Sequence, residues 1–173
     1  MKTIPSPDEC LKLLKQAGCK KEVISHCTAV RDVALRIAKK TNANIKLVEA
    51  GALLHDIGRS KTHGIKHAVR GAKIAKKLGL PNEIINIIER HVGAGLSAKE
   101  AKKLGLPEKN YIPETLEEKI VCHADNLVDN NGIKPIEYEV ERALNDGNDE
   151  YAKRLVILHK ELSDLCGIDL NKI

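Results

Sequence analysis

Apolar residues recur along most of this chain at steps of three, four and seven, the period of a helix with one buried face. Val23, Val30, Val33 and Ile37 form one such stripe. His26 falls on it, so its imidazole is expected to point inward. Start and stop signals divide the pattern. Ser6-Pro7-Asp8-Glu9 offers an N-cap, a proline in the first turn and a reciprocal glutamate, predicting a helix to about Ala17 that Gly18 stops. A second helix is expected over about 22–40. Asn44 caps a third through Leu47, Val48, Gly51 and Leu54 to His55-Asp56, with Gly58 as its terminator. A fourth covers about 66–78, before Gly79. Pro81 opens a fifth through Ile84, Ile85, Ile87 and Ile88, ending near His91 and Gly93. Ser97-Ala98-Lys99-Glu100 is a second capping box, and its short helix stops at Gly105. Thr115-Leu116-Glu117-Glu118 is a third box, opening a long helix with Val121, Asp125 and Val128 on one face. Two further helices, about 135–144 and 148–165, are separated by Asn145-Asp146-Gly147. No stretch alternates with period two. The expected fold is all-α: a compact helical bundle in one domain over 1–173, its core at about 20–130, with an N-terminal helix and a C-terminal helical extension.

Composition adds two constraints. A chain of 173 residues can bury a real core, but this one has no Trp or Phe and only Tyr111, Tyr138 and Tyr151. The core must be built from Ile, Leu, Val and Ala. The net charge is +5, and the lysine doublets (Lys20-Lys21, Lys39-Lys40, Lys76-Lys77, Lys102-Lys103) read as solvated helix faces. The other reading is a field that draws in phosphorylated substrates. Sequence-tolerant nucleic-acid grooves usually add aromatic stacking platforms, so nucleic acid is not the expected partner. Cys10, Cys19, Cys27, Cys122 and Cys166 form no CxxC pair and read as reduced, buried thiols; no spacing supports Cys27 or Cys122 as a metal ligand. The first residues, Met-Lys-Thr-Ile-Pro-Ser-Pro, lack the apolar centre of a secretion signal, and no apolar run is long enough to span a bilayer. A soluble, cytoplasmic protein is expected. Self-association through the C-terminal helices is open.

The chemistry lies in a series of ligand-type residues: His26, His55-Asp56, His67, His91 and Asp125. Imidazole nitrogens and carboxylate oxygens are what divalent transition metals take. Asp56 follows the apolar run Ala52-Leu53-Leu54, where a buried carboxylate needs a cation or several hydrogen bonds. It could instead cap the next segment and face water. Asp125 sits mid-helix among apolar residues, where aspartate is disfavoured. Taken singly, His67 and His91 read as surface residues. His63 falls in a loop. His123, two residues before Asp125, is turned away from it on a helix. No Ser-His-Asp series or phosphate-cradling glycine loop is present.

The ordered series of His26, then Ala-Leu-Leu-His-Asp-Ile-Gly at 52–58, His67-Ala-Val-Arg-Gly-Ala, His91 and His123-Ala-Asp-Asn-Leu resembles the HD-domain metal-dependent phosphohydrolase superfamily, in particular its HDIG subgroup. The resemblance covers about 25–128. It implies an all-α HD-type bundle with His26, His55, Asp56 and Asp125 around one metal, and Asp56 bridging to a second held by His67 and His91. It implies two divalent ions per chain, without choosing among Fe, Mn, Co, Ni, Zn and Mg. The implied activity is hydrolysis of a phosphomonoester or phosphodiester, of a nucleotide above all, by metal-activated water. A metal-holding nucleotide sensor without turnover is the alternative. An oxygenase built on a related di-iron site would need a carbon substrate, to which nothing here points. The chain lacks the Gly-Tyr-Pro signature of the cyclic-di-GMP branch, reading His91-Val-Gly-Ala-Gly-Leu instead. Asp56 is expected to be catalytic as well as a ligand. Arg59, Lys61, Arg70 and Lys73 are the nearest cations, and Arg70 and Lys73, in register with His67, are expected to contact phosphoryl oxygens.

Overall fold

The computed structural model describes residues 2–130 and 132–173. The helices are α1 (Pro7–Ala17), α2 (Lys21–Ala38), α3 (Ile45–Leu54), α4 (His67–Lys77), α5 (Asn82–Glu89), α6 (Ala98–Lys103), α7 (Leu116–Asn126), α8 (Glu137–Asn145) and α9 (Asp149–Cys166), with 3-10 turns at Ile57–Ser60 and Leu170–Lys172. The all-α bundle expected from the sequence is what forms.

Capping chemistry sets several of these boundaries. The Ser6 hydroxyl accepts from the Glu9 amide and the Glu9 carboxylate accepts from the Ser6 amide at 2.6 Å. Ser97 and Glu100 repeat the exchange at the start of α6. Thr115 completes only half a box. Its hydroxyl accepts from the Glu118 amide, but the Glu118 carboxylate is buried and taken by the Glu114 amide at 2.7 Å and by Arg90 at 3.0 Å.

α2 packs on α3 and α7, and α3 also packs on α1, α5 and α7. One aliphatic core runs through these helices and out to the α8–α9 hairpin, with Leu14, Ile37, Leu53, Leu54, Ile57, Ile84, Ile88, Ile120, Leu127, Leu155 and Leu162 fully buried. Leu96, Ala101, Leu106 and Tyr111 make a smaller cluster under the loop after α6. No described helix is long and apolar enough to cross a membrane.

Two departures from the expected boundaries matter for the site. α7 stops at Asn126 instead of running past Val128; Val128–Asp129 then pairs antiparallel with Gly132–Ile133. Two-residue strands are too short for a period-two signal to appear. The other departure is α3, which ends at Leu54, leaving His55 and Asp56 in the junction before the 3-10 turn. Gly58 lies inside that turn, without a positive φ. Its service is space: a Cβ there would overlap the His67 carbonyl oxygen and stand 2.6 Å from the Gly71 amide nitrogen. The turn therefore rests directly on the first turns of α4. That contact brings His67 to the end of α3.

Candidate metal centre

Helix ends deliver most of the ligand-type side chains. His55 and Asp56 follow α3, His67 opens α4, His91 follows α5 and Asp125 lies in the last turn of α7; only His26 comes from mid-helix, in α2. All six sequence candidates meet. Asp56 stands between two groups. Its Oδ2 faces His55 Nε2 at 3.6 Å and His26 Nε2 at 3.8 Å, and both of those nitrogens also face Asp125 Oδ1, at 3.5 and 2.8 Å. Its Oδ1 faces His67 Nε2 at 3.2 Å and His91 Nε2 at 3.3 Å. One carboxylate thus presents an oxygen to each of two clusters, the arrangement by which an aspartate bridges two cations.

Helix geometry also fixes the imidazoles. His55 Nδ1 donates to the Ala52 carbonyl at 2.7 Å, His67 Nδ1 to Gly64 at 2.9 Å and His91 Nδ1 to Ile88 at 2.6 Å. Each acceptor is a carbonyl three residues back. A carbonyl can only accept, so the proton of a neutral ring sits on Nδ1 and the Nε2 lone pair points into the centre. This is the tautomer a metal ligand needs, held by its outer hydrogen bond.

The centre has the marks of a site made for positive charge. His67 Nε2 and His91 Nε2 face each other at 2.9 Å. Two such lone pairs repel unless a proton or cation lies between them. Nitrogens bound at about 2.1 Å to one metal at right angles stand about 3 Å apart. Among the described residues, His55 Nε2 and Asp56 Oδ1 are buried with no hydrogen-bond partner. The fields agree. Burial alone would lower the pKa of His55, but the carboxylates of Asp56 and Asp125 hold it well above the ordinary imidazole value. Burial would raise Asp56, yet the surrounding His55, His67 and His91 keep its carboxyl well below the usual range. Asp125 is likewise held low, mainly by His55 and His26, against burial. The donor set fits divalent cations. Removing metal with a chelator should lower the melting temperature, because only the folded chain assembles these ligands; a thermal melt before and after dialysis checks it.

Several expectations change here. Asp56 does not cap the 3-10 turn and does not face water: it is 2% exposed, and its side chain makes no capping bond. His67 and His91 are buried, not superficial, because the contact of the 3-10 turn with α4 and the packing of α4 on α5 carry them inward. His123 is also buried. Its Nε2 meets His159 Nδ1 of α9 at 2.9 Å, and His159 Nε2 meets Asp169 at 3.0 Å; burial and His159 push the His123 pKa down to about 3. His63 is exposed. Arg70 and Lys73 are exposed, and among the described residues their side chains make no ion pair or hydrogen bond. The cation on the centre is Arg59, whose Nε donates to Asp56 Oδ2 at 2.7 Å. One helical turn from His67 proved too coarse a criterion, since the Arg70 side chain leaves the helix on its solvent face.

Sequence reasoning missed the residues that hold the loop after His91. Gly93 and Gly95 both have positive φ. The Gly93 carbonyl accepts from the Cys122 thiol at 2.9 Å and from Asn126 at 2.8 Å, and a Cβ on Gly93 would overlap the Tyr151 hydroxyl of α9. Arg154, also on α9, donates to the Gly95 carbonyl at 3.3 Å and to Glu100 at 2.7 Å, and lies over the Tyr151 ring. Cys122 is thus a buried donor, its thiol pKa raised by burial, and not a thiolate ligand. The Gly-Ala-Gly spacing was the available signal, since such glycines mark close backbone approach.

The centre opens on the side of His26, Asp125 and Arg59, whose side chains are 27%, 23% and 30% exposed. Beside His26 lies an open cavity of about 460 Å³ between α2 and the 128–133 hairpin, lined by Lys21, Glu22, Ser25, His26, Ala29, Asp129, Asn130 and Gly132.

Comparison with known proteins places this geometry. The HD domain family profile matches residues 23–129. A tRNA (cytidine(56)-2'-O)-methyltransferase of Thermoplasma volcanium is 46% identical over the whole of this chain, which covers 51% of that protein. An uncharacterized protein of Methanocaldococcus jannaschii is 44% identical over 91% of this chain and 97% of its own length. The chain spans about half the length of the first curated relatives it matches. Among solved structures, the HD domain of the phosphodiesterase PgpH from L. monocytogenes aligns over 91% of this chain and 95% of that one, with a TM-score of 0.57 and 22% identity. A second structure of that domain holds cyclic-di-AMP.

Proposed function

Because this chain belongs to the HD-domain family, we propose that it is a metal-dependent phosphohydrolase that cleaves a phosphomonoester or phosphodiester, with a nucleotide as substrate. The observation that carries this reading is the division of Asp56 between two histidine clusters. His26, His55 and Asp125 would hold one divalent ion, His67 and His91 the other, and Asp56, facing both groups, would serve each. Such ions supply Lewis acidity and a reactive hydroxide near neutral pH. The chain's own residues do the rest. The carbonyls of Ala52, Gly64 and Ile88 keep three ring nitrogens aimed inward. Arg59 stands at the mouth, where arriving phosphoryl oxygens meet its guanidinium. The cavity beside His26 is large enough for the remainder of a mononucleotide, with Lys21 and Ser25 on its wall. The cyclic-di-AMP held by an HD domain of this fold supports a nucleotide ligand.

Elemental analysis of freshly purified protein, run beside a hydrolysis panel of nucleotides, bis(p-nitrophenyl) phosphate and p-nitrophenyl phosphate with Mn²⁺, Co²⁺, Ni²⁺ or Mg²⁺, tests this. Turnover is expected with at least one ion. Full metal occupancy with no turnover at all would replace hydrolysis with sensing. In the same assay His67→Ala or His91→Ala should lower the metal content from about two to about one per chain. Unchanged content would leave a mononuclear centre.

A further inference from the structure

Between Asp56 and Glu83 the chain contains no acidic residue, but it contains Arg59, Lys61, Lys66, Arg70, Lys73, Lys76 and Lys77. This stretch includes all of α4, which alone among the described helices carries cations without any acid. Solvated helix faces normally mix the two signs. Elsewhere in this molecule they do: Lys153 pairs with Glu150 and Lys160 with Asp164 on α9. Lys66, just before α4, and Arg70, Lys73 and Lys77 on it are all exposed, and among the described residues none of them makes an ion pair. Their spacing of four, three and four sets them in a single row along the helix. At about 1.5 Å per residue the row is about 16 Å long. It begins beside His67, the residue by which α4 reaches the metal centre.

From this row we propose that α4 is a track for the sugar-phosphate backbone of a single-stranded polynucleotide, leading it to the metal centre. The inference rests on reading that centre as a phosphohydrolase, and it narrows the substrate from a nucleotide to a chain of them. At about 3.4 Å per stacked nucleotide, the row matches about five phosphates. A single strand is favoured over a duplex by burial. His55, Asp56 and His91 lie at 0–2% exposure, so a phosphorus atom must leave the surface to reach them. Backbone paired in a duplex cannot bend in that far. A lipid surface fits less well, since the row ends on a single exposed aliphatic side chain, Leu78, too little to enter an acyl layer. The lack of stacking platforms means that contact is to phosphates, with little dependence on base.

Fluorescence anisotropy of a labelled oligouridylate about a dozen nucleotides long, read on the as-purified protein with the probe shown intact on a gel, tests the track. Four cations should give a log–log salt slope of about −3, at about −0.7 per phosphate contact for single strands. The triple variant Arg70→Glu/Lys73→Glu/Lys77→Glu should bind at least about thirty-fold more weakly and lose most of the slope. Reversing Lys153, Lys160 and Lys172 changes the net charge equally and should cost less than about three-fold. An equal loss from both triples would overturn the track, as would uridine monophosphate competing as well as the oligomer. Phosphatidylserine vesicles that bind wild type and not the α4 triple, where the oligomer shows no such difference, would overturn it in favour of a membrane. Hydrolysis of bis(p-nitrophenyl) phosphate reports on the centre separately: it survives if only the track is wrong, and is absent if the centre is wrong.

Discussion

Asp56→Asn should strip the protein of most of its bound metal and slow hydrolysis at least about a thousand-fold, a loss of about 4 kcal/mol in transition-state stabilisation. Among the described residues, no other side chain presents one oxygen to His26 and His55 and another to His67 and His91. An amide has one oxygen and cannot carry the negative charge that two cations share. The bundle should still form, because the change removes a buried charge and keeps the volume. Its melting temperature should fall close to that of the chelated wild type. Elemental analysis, turnover and a circular-dichroism melt measure the three effects. Normal activity in this variant would mean that the site is assigned to the wrong residues.

Gly58→Ala should be as damaging by another route. The added methyl would collide with the His67 carbonyl and the Gly71 amide, which are backbone atoms of a helix and cannot rotate aside. Gly71 has its own tight contacts, a Cβ there lying 2.8 Å from Ile88 and 3.1 Å from the Gly58 nitrogen. The 3-10 turn and α4 would have to separate. Overpacking of this kind costs about 3 kcal/mol, which in a domain of this size lowers the melting point by about 10 °C. Because α4 carries His67, the cation on the Oδ1 side of Asp56 should be lost first, visible as a fall in metal content under conditions where the variant is still folded. A variant with unaltered melting and full metal would show that the two backbones do not touch.

Helices were legible because their signals are local. Ser6, Asn44, Ser97 and Thr115 each accept from a backbone amide at the helix start they announce. The ligand series was legible for a different reason. An aspartate in an apolar run or mid-helix costs energy that something must offset, so Asp56 and Asp125 advertised a buried partner. What stayed hidden depends on which face each helix turns to its neighbour. His67 and His91 looked superficial, since no short window records that α4 lies on the 3-10 turn and on α5. Register with His67 favoured Arg70 over Arg59, until geometry put the Arg59 guanidinium on Asp56 and the Arg70 side chain in solvent. Glu118 is the same lesson at a cap: its spacing from Thr115 fits a capping box, and Arg90 and the Glu114 amide, remote from that pattern, take the carboxylate away.

The grip of Tyr151 and Arg154 on the Gly93–Gly95 loop bears on the order of events during synthesis. The ribosome delivers His26, His55, Asp56, His67, His91 and Asp125 before either residue has emerged. A nascent chain therefore owns every donor atom while the segment beside His91 still lacks its seat. That segment gains its contacts with Tyr151 and Arg154 only in chains whose translation has passed α9.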